Sequence, residues 1–208
     1  MADTTATLSP RQQRKREEMI NNILAMARAI MREEGVAAFS LQELARRLDL
    51  RAPSIYHYFE GKTAIYDALF RLGFKLYAEA LQKAIEGATD WQDELSRIFE
   101  TYMAFATQNP ELYQLCFERP VPGFTPSEES LQISFALLHS GYERAAHWRD
   151  AIDTDMSPAQ LADLVIAMMH GLTALHLANE PHLPPGQGRF GALIPEALAL
   201  LNKAWTKP

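Results

Sequence analysis

The chain has 208 residues, 48% of them hydrophobic and 22% charged, with a formal net charge of −6. That composition excludes disorder as the main state and fits one large domain, or a small domain beside a larger one. No apolar run approaches the roughly 20 residues that cross a bilayer, Met1–Pro10 lacks the apolar centre of a secretory signal, and the lone Cys116 excludes an intrachain disulfide and a four-cysteine zinc site; a cytoplasmic chain without membrane partner, metal or other cofactor is expected.

Apolar residues recur at helical spacing throughout, and no stretch sustains a two-residue alternation, so the fold class is all-α. Ser9-Pro10 opens a long helix over about Pro10–Glu34, which buries Ile20, Ile23, Leu24, Ala27, Ile30 and Met31, and Gly35 stops it. Ser40 and Glu43 form a capping box, with Phe39 stapled on Leu44, at the start of a short helix over about Leu41–Leu48. After Asp49-Leu50-Arg51 comes a second short helix, Pro53–Phe59, and Lys62 opens a long one reaching about Ile85. Further helices are predicted at Trp91–Thr107, Pro110–Phe117, Pro126–Trp148 and Ser157–Ala178, the last with its own Ser157–Gln160 capping box. The final helix ends near Trp205, with Pro195 starting or kinking it, and proline-rich loops occupy 119–125 and 180–188.

Charge divides the chain as the helices do. Residues 1–62 hold 10 Lys and Arg against 8 Asp and Glu, whereas residues 63–208 hold 10 against 18. A cationic first part on an acidic remainder suggests two jobs, one of which meets an anion. Arg11, Arg14, Lys15 and Arg16 are placed to reach phosphates or a minor groove, although a solvated helix start gives the same pattern.

Two short helices joined by three residues have the dimensions of a helix-turn-helix, and Leu44, Ala45, Leu48, Leu50 and Ile55 supply contacts that fix their angle. Such a pair lays its second helix in the major groove of DNA. That helix offers Ser54, Tyr56 and His57, with Arg51 and Ala52 just before it. Spacing alone leaves open an ordinary helical hairpin inside a core. The residues narrow the choice: Phe39-Ser40, Leu44-Ala45 and Ile55-Tyr56-His57-Tyr58-Phe59 followed by Lys62 resemble the TetR family of bacterial transcriptional regulators, over about residues 14–70. The resemblance implies a three-helix DNA-binding domain, a homodimer and a helical ligand-binding body. It matches Ser40, Ser54, Tyr56, His57 and Lys62 to positions that touch DNA, with Tyr56 and Lys62 on phosphates and Arg51, Ala52, Ser54 and His57 nearer base edges. Asp49 departs from the family's usual glycine at a position that favours positive φ, Ala52 is a weak cap, and Glu60 sets a negative charge near the phosphates.

The Ser157–Ala178 helix is apolar on nearly every side, and a line of small residues, Ala167, Gly171, Ala174 and Ala178, lets another helix approach closely. With Ile194, Leu198, Leu201 and Trp205 of the last helix it reads as a two-fold seam between copies of the chain; a buried central helix in a monomer shows the same periodicity. Asn109-Pro110-Glu111-Leu112-Tyr113, Phe117 and His170-Gly171 resemble a body subtype of the same family. A pocket is expected among Met103, Phe105, Tyr113, Cys116, Phe117, Leu137, Met169 and His170, suited to a bulky apolar ligand, although plain core packing would use the same residues.

No Gly-x-Ser-x-Gly elbow, phosphate loop or His-Glu-x-x-His is present, and Glu143 and His147 are spaced four apart with no second copy, so no enzyme is expected. The reading is a DNA-binding domain over residues 1–62 and a ligand-binding and dimerisation domain over 63–208. Its partners are a double-stranded DNA operator, a small-molecule effector and a second copy of itself; the alternative is an architectural DNA-binding protein without an effector.

Overall fold

A computed structural model describes residues 9–207; Met1–Leu8, on which the reading of the N-terminus rests, lie outside them. Helix α1 (Pro10–Glu34) begins with a full capping box, since Ser9 Oγ accepts the Gln12 N–H while Gln12 Oε1 accepts the Ser9 N–H at 2.9 Å. Gly35, at φ 95, closes it with its N–H on the Met31 carbonyl. At α2 (Leu41–Arg47) only half of the expected box forms: Ser40 Oγ accepts the Glu43 N–H at 3.2 Å, but the Glu43 carboxylate turns away to Arg46 and Arg47. Asp49 takes φ 53, the left-handed conformation expected of that turn. Helix α3 (Ala52–Ile55) starts one residue earlier and ends sooner than Pro53–Phe59, because the chain passes into turns through Tyr58. The head is sealed by Ile23, Ala27, Ile30, Val36, Phe39, Leu44, Ala45 and Ile55, all buried.

Helix α4 (Lys62–Ile85) runs out of the head, where Ile65, Tyr66 and Leu69 join that core, into the body. There it packs on α5 (Trp91–Gln108) and α7 (Glu128–Trp148), and α7 in turn packs on α8 (Pro158–Asn179). Between α5 and α7 the expected Pro110–Phe117 helix is two pieces, α6 (Pro110–Tyr113) and a π-helical turn over Gln114–Glu118 that ends at Arg119, φ 49. The wider turn seats Cys116 against Gly73 of α4; a Cβ on Gly73 would fall 2.5 Å from the Cys116 Sγ. Helix α7 starts at Glu128 and not at the expected Pro126, capped by Ser127, whose N–H and hydroxyl both donate to the Asp67 carboxylate at 2.7 and 3.0 Å. A short α9 (Gly188–Gly191) follows the second loop, and α10 (Ile194–Trp205) carries Pro195 in its first turn.

Two expectations need correction. Helix α8 is, by length and composition, apolar enough to cross a bilayer, with Asp163 as its only Asp, Glu, Lys or Arg; it instead packs on α5, α7 and α9, and about a third of its most apolar stretch is buried. In the last helix, Leu201 and Trp205 face inward: Trp205 is 4% exposed, its ring centroid 6.1 Å from that of Trp91 in α5. The outward apolar residues around α10 are Leu193 and Leu200.

Candidate nucleic-acid interface and ligand cavity

On the head, Arg51, Tyr56 and His57 are exposed, Tyr56 by 57%. Ser54 and Ala52 beside them are half-buried, and Arg14 is exposed on α1. These side chains hold their places because Ile55, between them, is wholly buried and anchors the helix. Arg16 adds a strap: its guanidinium donates to the His57 carbonyl at 2.8 Å and lies 5.4 Å from the centre of the Tyr58 ring. Ser40 spends its hydroxyl as the α2 cap.

The cations sort into two sets. Arg46 and Arg47 are neutralised, both on Glu43 and Arg47 also on Glu33 and Glu34 of α1, and their hydrogen bonds hold the Glu43 carboxyl down to about 2. Lys62 is seated inward of its expected role. Its ammonium donates to the Ala37 carbonyl at 3.3 Å and sits 5.3 Å over the Tyr66 ring, leaving part of its hydrogen-bonding capacity for a phosphate. Arg11, Arg14, Lys15 and Arg51 are exposed with no acidic partner among the described residues. Sequence reasoning did not foresee this sorting, since Arg46, Arg47 and Arg51 look alike as letters.

In the body, a cavity of about 490 Å³ lies among α4, α5, the π-helical turn, α7 and α8. Of the residues expected there, Phe117, Leu137, Met169 and His170 line it. Met103, Phe105 and Cys116 do not: Met103 is wholly buried in the core, Phe105 packs on Tyr77 with ring centroids 5.4 Å apart, and Cys116 is spent against α4. Tyr113 stands just behind the wall and reaches the site through His170, whose Nδ1 lies 3.0 Å from both its hydroxyl and that of Tyr102. Burial pushes both phenols far above their ordinary titration range.

Residues that the sequence did not single out complete the lining: Phe74, Tyr77 and Tyr102 on one side, Arg144 and Trp148 on the other. Glu94 ties down the far end, accepting from Arg144 at 3.0 Å and from the Trp148 indole at 2.7 Å. A signal existed, because Leu137, Gly141, Arg144 and Trp148 follow one helical face. The cavity wall is thus mostly aromatic and aliphatic with polar groups at its two ends, the composition of a site for an apolar small molecule.

Head and body also meet through one buried acid. The Glu111 side chain of α6 is fully buried and is bridged by Arg28 at 2.7 Å and Arg32 at 2.8 Å, both from α1. Arg28 also donates to Asn109 at 2.7 Å.

Residues 23–69 match the family model described as bacterial regulatory proteins, tetR family, and residues 95–194 match that of a tetracyclin repressor-like C-terminal domain. An HTH-type transcriptional regulator of Mycobacterium tuberculosis is 24% identical over 134 residues, 63% of this chain and 57% of the relative; the chain thus spans less than two thirds of the curated relatives it matches. A Rhodococcus sp. RHA1 protein of unknown function superposes with a TM-score of 0.75 at 20% identity, covering 99% of this chain and 100% of that one. The fatty acid degradation regulator of Bacillus halodurans superposes at 0.72 with 13% identity, covering 94% and 96%.

Proposed function

Since the chain belongs to the TetR family of bacterial transcriptional regulators, with a helix-turn-helix that binds DNA, we propose that it acts as a homodimeric repressor released from its operator by a small apolar or aromatic effector. One observation carries the effector reading: α4 is a single helix that seals the head with Ile65 and Leu69 and lines the cavity with Phe74 and Tyr77. A molecule that fills the cavity presses on the rod that holds the head. It changes DNA affinity by its preference between two head positions, a coupling of typically about 1–3 kcal/mol.

The second copy is assigned to the outer faces of α8 and α10. Leu175, Leu193 and Leu200 stand exposed there, Leu200 by 65%. Ala167 and Ala178 are exposed, while Gly171 and Ala174 are half-buried and so keep part of their surface for a neighbouring helix. An isologous pairing of these faces sets two recognition helices about 34–36 Å apart, one turn of B-DNA, on a near-palindromic site. The chain then works in the cytoplasm, where its DNA is.

Tyr56→Ala tests the head. Fluorescence anisotropy on operator and on random duplex should show both weakened by a similar factor, the mark of a phosphate contact. A loss confined to operator assigns Tyr56 to base reading instead and contradicts that role.

A further inference from the structure

The polar end of the cavity fixes the chemistry of what it takes, given that the body is an effector sensor. Tyr102 and Tyr113 are 2% and 0% exposed, and apart from each other's oxygen their hydroxyls meet one acceptor among the described residues, His170 Nδ1. Buried hydroxyls that keep their protons need an acceptor. With Nδ1 bare, its lone pair and the neighbouring phenol oxygen together take both phenol protons. With a proton on Nδ1, the ring becomes a donor, one phenol can still donate to the other, and the remaining phenol proton has no acceptor among the described residues. The bare Nδ1 therefore puts the proton of the neutral ring on Nε2, which no described protein atom bonds, and His170 lines the cavity.

Charge around the cavity excludes an ionic partner for that N–H. Arg144 is already matched by Glu94 at 3.0 Å, and Asp163 lines the cavity. An anionic headgroup meets these acids with no free cation to offset them, and a cationic headgroup offers no lone pair to Nε2–H. We propose that the cavity takes a neutral, mainly apolar molecule bearing a carbonyl oxygen, a ketone, ester or amide, which accepts the His170 Nε2–H.

The test is calorimetric titration of the full chain with three probes of one shape: 2-acetylnaphthalene, 2-isopropenylnaphthalene, in which a methylene replaces the oxygen, and 2-naphthoate. The ketone should bind about threefold to tenfold tighter than the alkene, the range of one neutral hydrogen bond, and His170→Phe should remove that preference while the alkene still binds. An alkene that equals the ketone, or a naphthoate that binds tightest, overturns the inference and leaves the sensor reading standing. If none of the three binds, the sensor reading fails and the inference falls with it. Should His170→Phe not fold, the ring-nitrogen NMR shifts of the wild-type chain decide: a proton on Nε2 supports the assignment, and a proton on Nδ1 overturns it.

Discussion

Glu43 shows how one residue can leave its predicted role and gain a larger one. Its backbone N–H keeps the Ser40 cap, but its carboxylate gathers Arg46 and Arg47 and ties α2 to α1 through the arginine that also meets Glu33 and Glu34. The pairing lowers its pKa from 4.5 to about 2. A carboxyl whose folded pKa lies below its unfolded one contributes stability above the unfolded value and loses it as pH falls through the folded one. Urea unfolding of wild type and Glu43→Gln should therefore differ by a constant amount above pH ~5 and converge toward pH ~2. A gap that persists into acid contradicts the pairing. The Ser-x-x-Glu spacing was visible in the sequence, but which partner the carboxylate prefers depends on the approach of α1, which no local pattern records.

At the scale of elements, caps and breakers made most helices legible. Ser9-Pro10 and Gly35 bound α1, Ser157 and Gln160 open α8, and Lys62 to Ile85 matches α4 residue for residue. Errors arose where distant groups decide. Asp67 accepts from Ser127 at the α7 cap, the fit of Cys116 beside Gly73 accompanies a π-helical turn, and Trp91 turns Trp205 inward. The junction of α1 and α6 was invisible for the same reason, since Glu111 lies some 80 residues from its arginines. Removing a fully buried, bridged acid leaves two guanidiniums uncompensated, a loss that reaches 3–5 kcal/mol when the cations are buried as well. Arg28 and Arg32 keep 24% and 48% of their side-chain surface in water, so Glu111→Ala should cost about 2 kcal/mol. An unchanged urea midpoint would show that the junction holds without it.

At the scale of the molecule, the cationic head and acidic body fit the proposed division of labour, and the outward apolar residues Leu175, Leu193 and Leu200 at α8 and α10 are the surface proposed for a second copy. Half of the residues expected at the cavity, Phe117, Leu137, Met169 and His170, line it; the wall from α4 and α5 was not readable, because which of their sides face each other is fixed only by packing. Gly171 gives the cleanest handle on assembly, because a Cβ there meets nothing within 4 Å inside the protomer. Gly171→Leu should leave the fold intact by circular dichroism and shift sedimentation equilibrium toward monomer by tenfold or more, about 1.4 kcal/mol. An unchanged dimer moves the interface elsewhere.

The claim on which the rest depends is that Arg51, Tyr56 and His57 form a DNA-reading surface presented twice. Selection of bound duplexes from a random pool, with the purified chain at moderate salt, addresses it directly. The enriched sequences should converge on a two-fold pattern with half-sites about one helical turn apart, whereas a pool that stays random, or a single unpaired motif, contradicts the account.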